Sequence, residues 1–183
     1  MITNLLIAIA IIVFGLVLFI ATRSPDFSVM RSARISAPPG VVFGQVNDFH
    51  NWEAWSPWAK IDPAVKNTFE GSPAGAGAIF RWAGNNKVGE GKMTITESRP
   101  DGLVRIRLEF MKPFKATNTT EFTFKPEGHQ TVVTWNMFGT NNFLAKTIHL
   151  FMNMEKMVGG QFEQGLAQMR SVAETSIKKQ PLS

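Results

Sequence analysis

Chemistry at neutral pH needs a positioned acid, base or nucleophile, and few residues of this chain offer one. Asp48, His50 and Glu53 fall within one short stretch and are of metal-ligating type. Their spacing matches no structural metal pattern, and no second cluster joins them. A solvated loop beside Trp52 and Trp55 is the simpler account, and no metal is expected. His129 falls in a turn-forming run (126–130), where an exposed histidine has no task. His149 lies early in a long helical segment and is the best imidazole for proton transfer. Glu90 sits between Gly89 and Gly91. Strict alternation with Met93 and Ile95 directs it outward. A bulge at the glycines would turn it inward, where burial would raise its pKa and suit it to general-acid work. Glu90 and His149 are therefore the two weak candidates for catalysis. There is no Ser-His-Asp ordering and no phosphate-cradling glycine motif. The absence of cysteine excludes disulfides and thiolate metal sites. No cofactor is expected.

The elements that would position such groups follow from periodicity. Residues 142–179 read as one long helix, because Phe151, Met154, Val158, Phe162, Leu166, Met169 and Val172 recur in steps of three and four. Lys156, Gln161, Glu163 and Arg170 suit its solvated face. Before it, short segments alternate apolar and polar residues as half-buried strands do: 29–36, 65–70, 78–82, 92–97, 104–110, 117–125 and 131–138. Turn signals separate the later ones, including Gly84-Asn85-Asn86, Pro100-Asp101-Gly102 and Pro126-Glu127-Gly128. Two short helical pieces, 41–47 and 48–58, follow the first strand, the second being a helix or a tight loop. The fold class is therefore α+β: a curved antiparallel sheet of about seven strands wrapped around a long C-terminal helix.

One helix cannot fill the concave face of such a sheet, so an apolar gap is expected between them. Its lining is read as Trp55, Trp58, Trp82, Met93, Ile106, Leu108, Phe110, Phe122, Phe124 and Trp135, with Met154, Val158 and Phe162 from the helix. Trp52, Trp55 and Trp58 serve either as a lid over one end or as packing that holds the short helices on the sheet. The 15 Phe, 5 Trp and absent Tyr make the large aromatics almost free of hydroxyls, so such a cavity would be greasy. Gly159, Gly160 and Gly165 each cost about 1 kcal/mol in a helix relative to Ala, and point to close approach of the helix to the sheet or to room for a ligand.

The 183 residues leave one domain once the N-terminal stretch is set aside. Residues 5–21 carry no charge and would reach about 25 Å as a helix, the short end of what crosses a bilayer. A cleaved signal peptide competes with a membrane anchor. It needs a basic n-region, which residues 1–4 lack beyond the α-amino group, and a small-x-small site, for which Phe19-Ile20-Ala21 is poor. The uncleaved single-pass anchor fits better, over residues 1–22. A linker (23–27), a ligand-binding domain (28–179) and a short tail (180–183) follow. Arg23, Arg31 and Arg34 after the span place the domain in the cytoplasm by the positive-inside rule. The net charge of +5 fits mild attraction to anionic headgroups. Lys178-Lys179 is the sole adjacent basic pair, so no nucleic-acid partner is expected.

Four motifs carry a resemblance. They are Asn47-Asp48-Phe49 with Trp52 and Trp55-Ser56-Pro57-Trp58; Gly75-Ala76-Gly77-Ala78 with Arg81-Trp82; Val88-Gly89-Glu90-Gly91-Lys92-Met93; and Phe151-Met152-Asn153-Met154-Glu155-Lys156-Met157-Val158-Gly159-Gly160. Together, in this order, they resemble the polyketide cyclase/dehydrase-like branch of the START-like, SRPBCC superfamily. The resemblance covers about residues 28–178 and implies the helix-grip fold. Members of that superfamily bind lipids, sterols, hormones and polyketides, and some are cyclases or hydroxylase components. The expected function is a membrane-anchored binding protein for a hydrophobic small molecule or lipid, more a carrier than an enzyme. The alternative is a polyketide cyclase/dehydratase-like enzyme using the same cavity.

Overall fold

The computed structural model describes residues 1–151 and 153–179. The uncharged N-terminal run forms helix α1 (Ile2–Thr22), exposed throughout except at Ile20. Strand β1 (Asp26–Ile35) follows, then α2 (Pro39–Asn47), a 3-10 turn (Phe49–Asn51) and the one-turn helix α3 (Trp52–Trp55). Strands β2 (Lys66–Gly71), β3 (Ala78–Ala83), β4 (Glu90–Arg99), β5 (Leu103–Lys112), β6 (Ala116–Glu127) and β7 (Gln130–Thr140) come next. Helices α4 (Phe143–Phe151) and α5 (Met154–Lys178) close the chain. Among the described residues, seven strands make one curved antiparallel sheet in the order β1-β7-β6-β5-β4-β3-β2. Neighbours from β2 to β7 are successive hairpins. β1 returns to the far edge and pairs along β7, from Asp26 opposite Thr140 to Ile35 opposite Thr131. Arg23, Ser24 and Pro25 alone separate α1 from β1.

Local chemistry explains most boundaries. Pro39 starts α2, where its missing N–H costs nothing. Asp48 caps the 3-10 turn by accepting from the His50 N–H. Strands β3 to β7 run a little beyond their alternating stretches, because backbone pairing continues where the side-chain pattern fades; β1 starts earlier and β2 is shifted by one residue. The long C-terminal helix is the main difference from expectation, since it is two helices. Asn153 ends the continuity: its side chain accepts from the Lys156 N–H at 2.9 Å and starts α5 afresh. Asn142 does the same for α4, accepting from the Ala145 N–H at 2.8 Å. Steps of three and four residues survive such a break, so the apolar period read straight through it.

The core lies between the inner face of the sheet and α5. Val104, Ile106, Phe122, Phe124, Val133 and Trp135 meet Phe162, Leu166, Met169 and Ala173, with Val42 and Val46 of α2 closing one side. On β1 the inward positions include Phe27, Val29 and Ile35, and also Arg31. Its guanidinium reaches Glu155 at 2.8 Å and Glu163 at 2.6 Å, both on α5. It lies over Gly159, where any Cβ would overlap it. Hydrogen bonds donated to the Glu155 and Glu163 carboxylates hold Arg31 above its usual pKa, so the clamp keeps its charge. Glu163, read as a solvated position, thus has one foot in the sheet–helix contact.

The helix glycines differ in what surrounds them. A Cβ at Gly165 would stand 2.9 Å from the Trp135 ring and 3.1 Å from Pro57, whereas Gly160 faces open space. Gly160→Ala should therefore raise stability by about 1 kcal/mol through helix propensity. Gly165→Ala should lower it by about 1–3 kcal/mol through overpacking. Urea unfolding of the full chain in detergent checks the pair, and equal shifts for both would contradict the packing described.

Candidate functional site

Aromatic rings fill the middle of the space between sheet and helix. Trp135 of β7 and Phe162 of α5 stack with centroids 4.0 Å apart and planes 9° from parallel. Phe122 lies 4.7 Å from Trp135. Trp55 and Trp58 meet the Trp135 ring edge-on at 5.7 and 5.9 Å. The indole N–H groups of Trp52 and Trp55 donate to the carbonyls of Val46 and Gln45, at 3.0 and 2.9 Å. Those two tryptophans therefore pin α3 to α2 and pack the core. Ile106, Phe122 and Phe124 are buried within the same cluster, as is Met93 beside it. Leu108 and Trp82 are half-buried, with the Trp82 ring lying across Gly91, where a Cβ would overlap it.

The open space lies further along α5, at its N-terminal end. A cavity of about 470 Å³ sits there, within the usual range of about 300–1,000 Å³ for small-molecule sites. Its apolar wall includes Phe27 and Val29 of β1, Phe110 of β5, Met137 of β7 and Val158 of α5. Its polar groups are Asn118 and Thr140 on the strands, Asn141 and Asn142 before α4, and Lys115 in the β5–β6 turn. Phe114 and Ala145 complete the rim from that turn and from α4. The register explains why room exists. Gly139 pairs with Phe27 on one side and Asn118 on the other. A Cβ there would lie 2.6 Å from the Asn118 amide oxygen and 3.2 Å from the Phe27 ring, so glycine lets both side chains cross its position.

Of the residues read from the sequence as lining, Phe110 and Val158 reach this cavity. Trp55, Trp58, Ile106, Phe122, Phe124, Trp135 and Phe162 pack against one another or their neighbours instead. The side chains of Met154 and His149 lie outside the described residues. A register shift does occur between Glu90 and Gly91, but the Glu90 carboxylate goes to the Lys112 ammonium at 2.7 Å. Asp48 accepts from the His50 backbone N–H at 2.9 Å, the His50 ring stacks on Phe69 at 4.1 Å, and Glu53 is exposed. Among the described residues, no three His, Asp or Glu side chains converge as metal ligands would. His129 is exposed in the β6–β7 turn. Sequence reasoning missed Phe27, Phe114, Lys115, Asn118 and Ala145. Phe27 and Val29 do continue the phase of β1. Asn118 lies within β6 and Ala145 within α4, while Phe114 and Lys115 sit in the β5–β6 turn, where no period applies.

Residues 26–174 match the sequence profile of the family described as "Polyketide cyclase / dehydrase and lipid transport". The chain belongs to that family. No curated protein matches it by sequence. Solved structures of the same fold include the protein of unknown function SA2116 from Staphylococcus aureus. It is 14% identical, with a TM-score of 0.63 over 86% of this chain and 99% of the other. CV1439 from Chromobacterium violaceum is 15% identical, with a TM-score of 0.58 over 80% and 96%. DynU16, from the dynemicin biosynthetic locus, is 14% identical, with a TM-score of 0.57 over 83% of this chain and 49% of its own. At these identities the likeness establishes the helix-grip fold alone. Membership of the cyclase/dehydrase and lipid-transport family points to hydrophobic-ligand binding or a cyclase-like role.

The filled and open regions should respond differently to truncation. Trp135→Ala should cost about 3–5 kcal/mol, as for a large buried aromatic. Phe110→Ala, on a wall with space beside it, should cost well under that. Denaturant midpoints of the two variants test the division, and comparable losses would count against it.

Proposed function

We propose that this protein is a membrane-anchored binding protein for a hydrophobic small molecule or lipid, held in the cavity at the N-terminal end of α5. One observation carries the reading: the apolar wall of Phe27, Val29, Phe110, Met137 and Val158 ends in a rim of amides, a hydroxyl and Lys115. That arrangement suits an amphiphile, with its apolar part buried at about 25 cal/mol per Å² and its polar part oriented at the rim. By length and composition α1 is one helix able to cross a membrane, a property it shares with signal sequences. We read it as a retained single-pass anchor with the domain on the cytoplasmic side, as Arg23 and the following basic residues favour.

A cyclase/dehydratase-like enzyme is the second reading. The family description and the biosynthetic locus of DynU16 favour it. It needs a proton-transfer group on the cavity wall. Lys115 is the titratable side chain that lines the wall among the described residues, whereas Glu90 is spent on Lys112.

Native mass spectrometry of the full chain purified in detergent should find one co-purifying hydrophobic molecule per chain. Val158→Trp fills the cavity and should reduce its affinity at least about tenfold, or about 1.4 kcal/mol. Glu90→Gln should leave it unchanged. Retention by Val158→Trp would overturn the placement, and an empty wild-type chain would overturn the binding reading.

A further inference from the structure

After α1, eight large apolar side chains are exposed among the described residues, and five of them belong to the elements around the cavity mouth. Met111 is near the end of β5 and Phe114 is in the β5–β6 turn, Phe143 and Leu150 stand on α4, and Met157 lies on the first turn of α5 beside Val158. Phe114, Phe143 and Met157 are 58%, 49% and 48% exposed. Rings and thioethers left in water around a cavity opening mark a surface that something covers.

Charge and connectivity identify the cover. Lys115 on the rim and Lys156 at the start of α5 make no ion pair among the described residues. Among the described residues Glu90 and Glu155 are engaged, with Lys112 and Arg31, while Asp26 beside Thr140 makes no ion pair, so the two free lysines outnumber the one free acid. An apolar patch bearing unpaired lysines is complementary to anionic headgroups: the rings enter the acyl boundary and the ammonium groups face phosphates. The apolar N-terminal helix also arrives at this end. The Lys146 ammonium on α4 donates to the carbonyl of Arg23 at 2.6 Å and of Ala21 at 3.4 Å. The Asn141 N–H donates to Pro25 at 2.7 Å, and Ile20 is buried. A helix that leaves the hydrocarbon at Thr22 and is tied at once to α4 brings α4 to headgroup depth.

We propose that the cavity mouth is a docking surface for anionic phospholipid headgroups of the membrane that holds α1, so that the cavity opens into the leaflet and takes its ligand from there. The proposal rests on α1 being a span. Phe114, Phe143 and Met157 form the inserted part, and Lys115 and Lys156 the electrostatic part.

The chain lacks cysteine, so single labels can be placed cleanly. Phe114→Cys and Phe143→Cys carry a polarity-sensitive fluorophore at the mouth. Phe69→Cys, exposed on β2, is the reference, and Ile12→Cys reports on α1. The labelled full chain is reconstituted in phosphatidylcholine vesicles with and without phosphatidylserine, both carrying nitroxide-labelled lipid. Labels at 114 and 143 should shift to the blue and be quenched, more so with phosphatidylserine, while the label at 69 does neither. Adding K115E and K156E should abolish the phosphatidylserine effect. Quenching at 12 with labels at 114 and 143 behaving like 69 would overturn docking and leave the anchor standing. Loss of quenching at 12 as well would overturn both. A blue shift at 114 and 143 without nitroxide quenching would mean that protein covers this face, and would overturn the lipid assignment. Occupancy by a co-purifying ligand, measured separately, distinguishes all of these from failure of the binding reading.

Discussion

The flat contact between Trp135 and Phe162 is what the rest of the domain is built to accommodate. A ring from the sheet and a ring from the helix stack with centroids 4.0 Å apart, so sheet and helix are joined there by a face-to-face aromatic pair. Such proximity leaves no room for a side chain at residue 165, and glycine stands there against the Trp135 ring and Pro57. It also creates edges that must be covered. Trp55 and Trp58 pack their planes nearly perpendicular to Trp135, and Phe122 tilts against its other flank. The short helical pieces after β1 carry Trp52 and Trp55, whose indole N–H groups donate to Val46 and Gln45 and hold the pieces together.

A tight contact at one level of a curved sheet forces the gap to open at another. Toward the C-terminal half of α5 the gap is closed by Leu166, Met169 and Ala173. Toward its N-terminal end Val158 borders the cavity, although the next residue, Gly159, still meets Arg31 of β1. The cavity is therefore a consequence of where the aromatic layer sits. The break at Asn153 belongs to the same geometry. Two separately capped helices, α4 and α5, leave Asn142 and Ala145 at the cavity beside Val158.

The architecture was legible because it rests on period. Val104, Ile106, Leu108 and Phe110 against Arg105, Arg107 and Glu109 can be read as a strand without any partner in view. The same is true of the apolar stripe of α5. The cavity was less legible, because a period tells which residues face inward and not how far the opposing surface stands. Phe122 and Phe110 alternate in the same way, yet the first is buried beneath Trp52 and Trp135 while the second borders open space. Polar groups at the rim were out of reach for another reason. Asn118 interrupts an otherwise ordinary strand, and Lys115 occupies a turn, where charged residues need no explanation. The Asn153 break hid behind apolar spacing that a capped junction preserves.

Arg31 and Gly159 meet across the sheet–helix contact. A cation sits on the inward face of an edge strand, a place that apolar residues normally occupy, and is tolerated because the facing helix lacks a side chain there and supplies Glu155 and Glu163 on either side. The two halves fit one another: glycine leaves space for the half-buried guanidinium, and Glu155 and Glu163 pair with it. The two positions therefore form one unit of inheritance. In relatives of this chain a side chain at the position of Gly159 should coincide with a small or apolar residue at that of Arg31, so that variation at two sites remote in sequence moves in step and records the seating of the helix on the sheet.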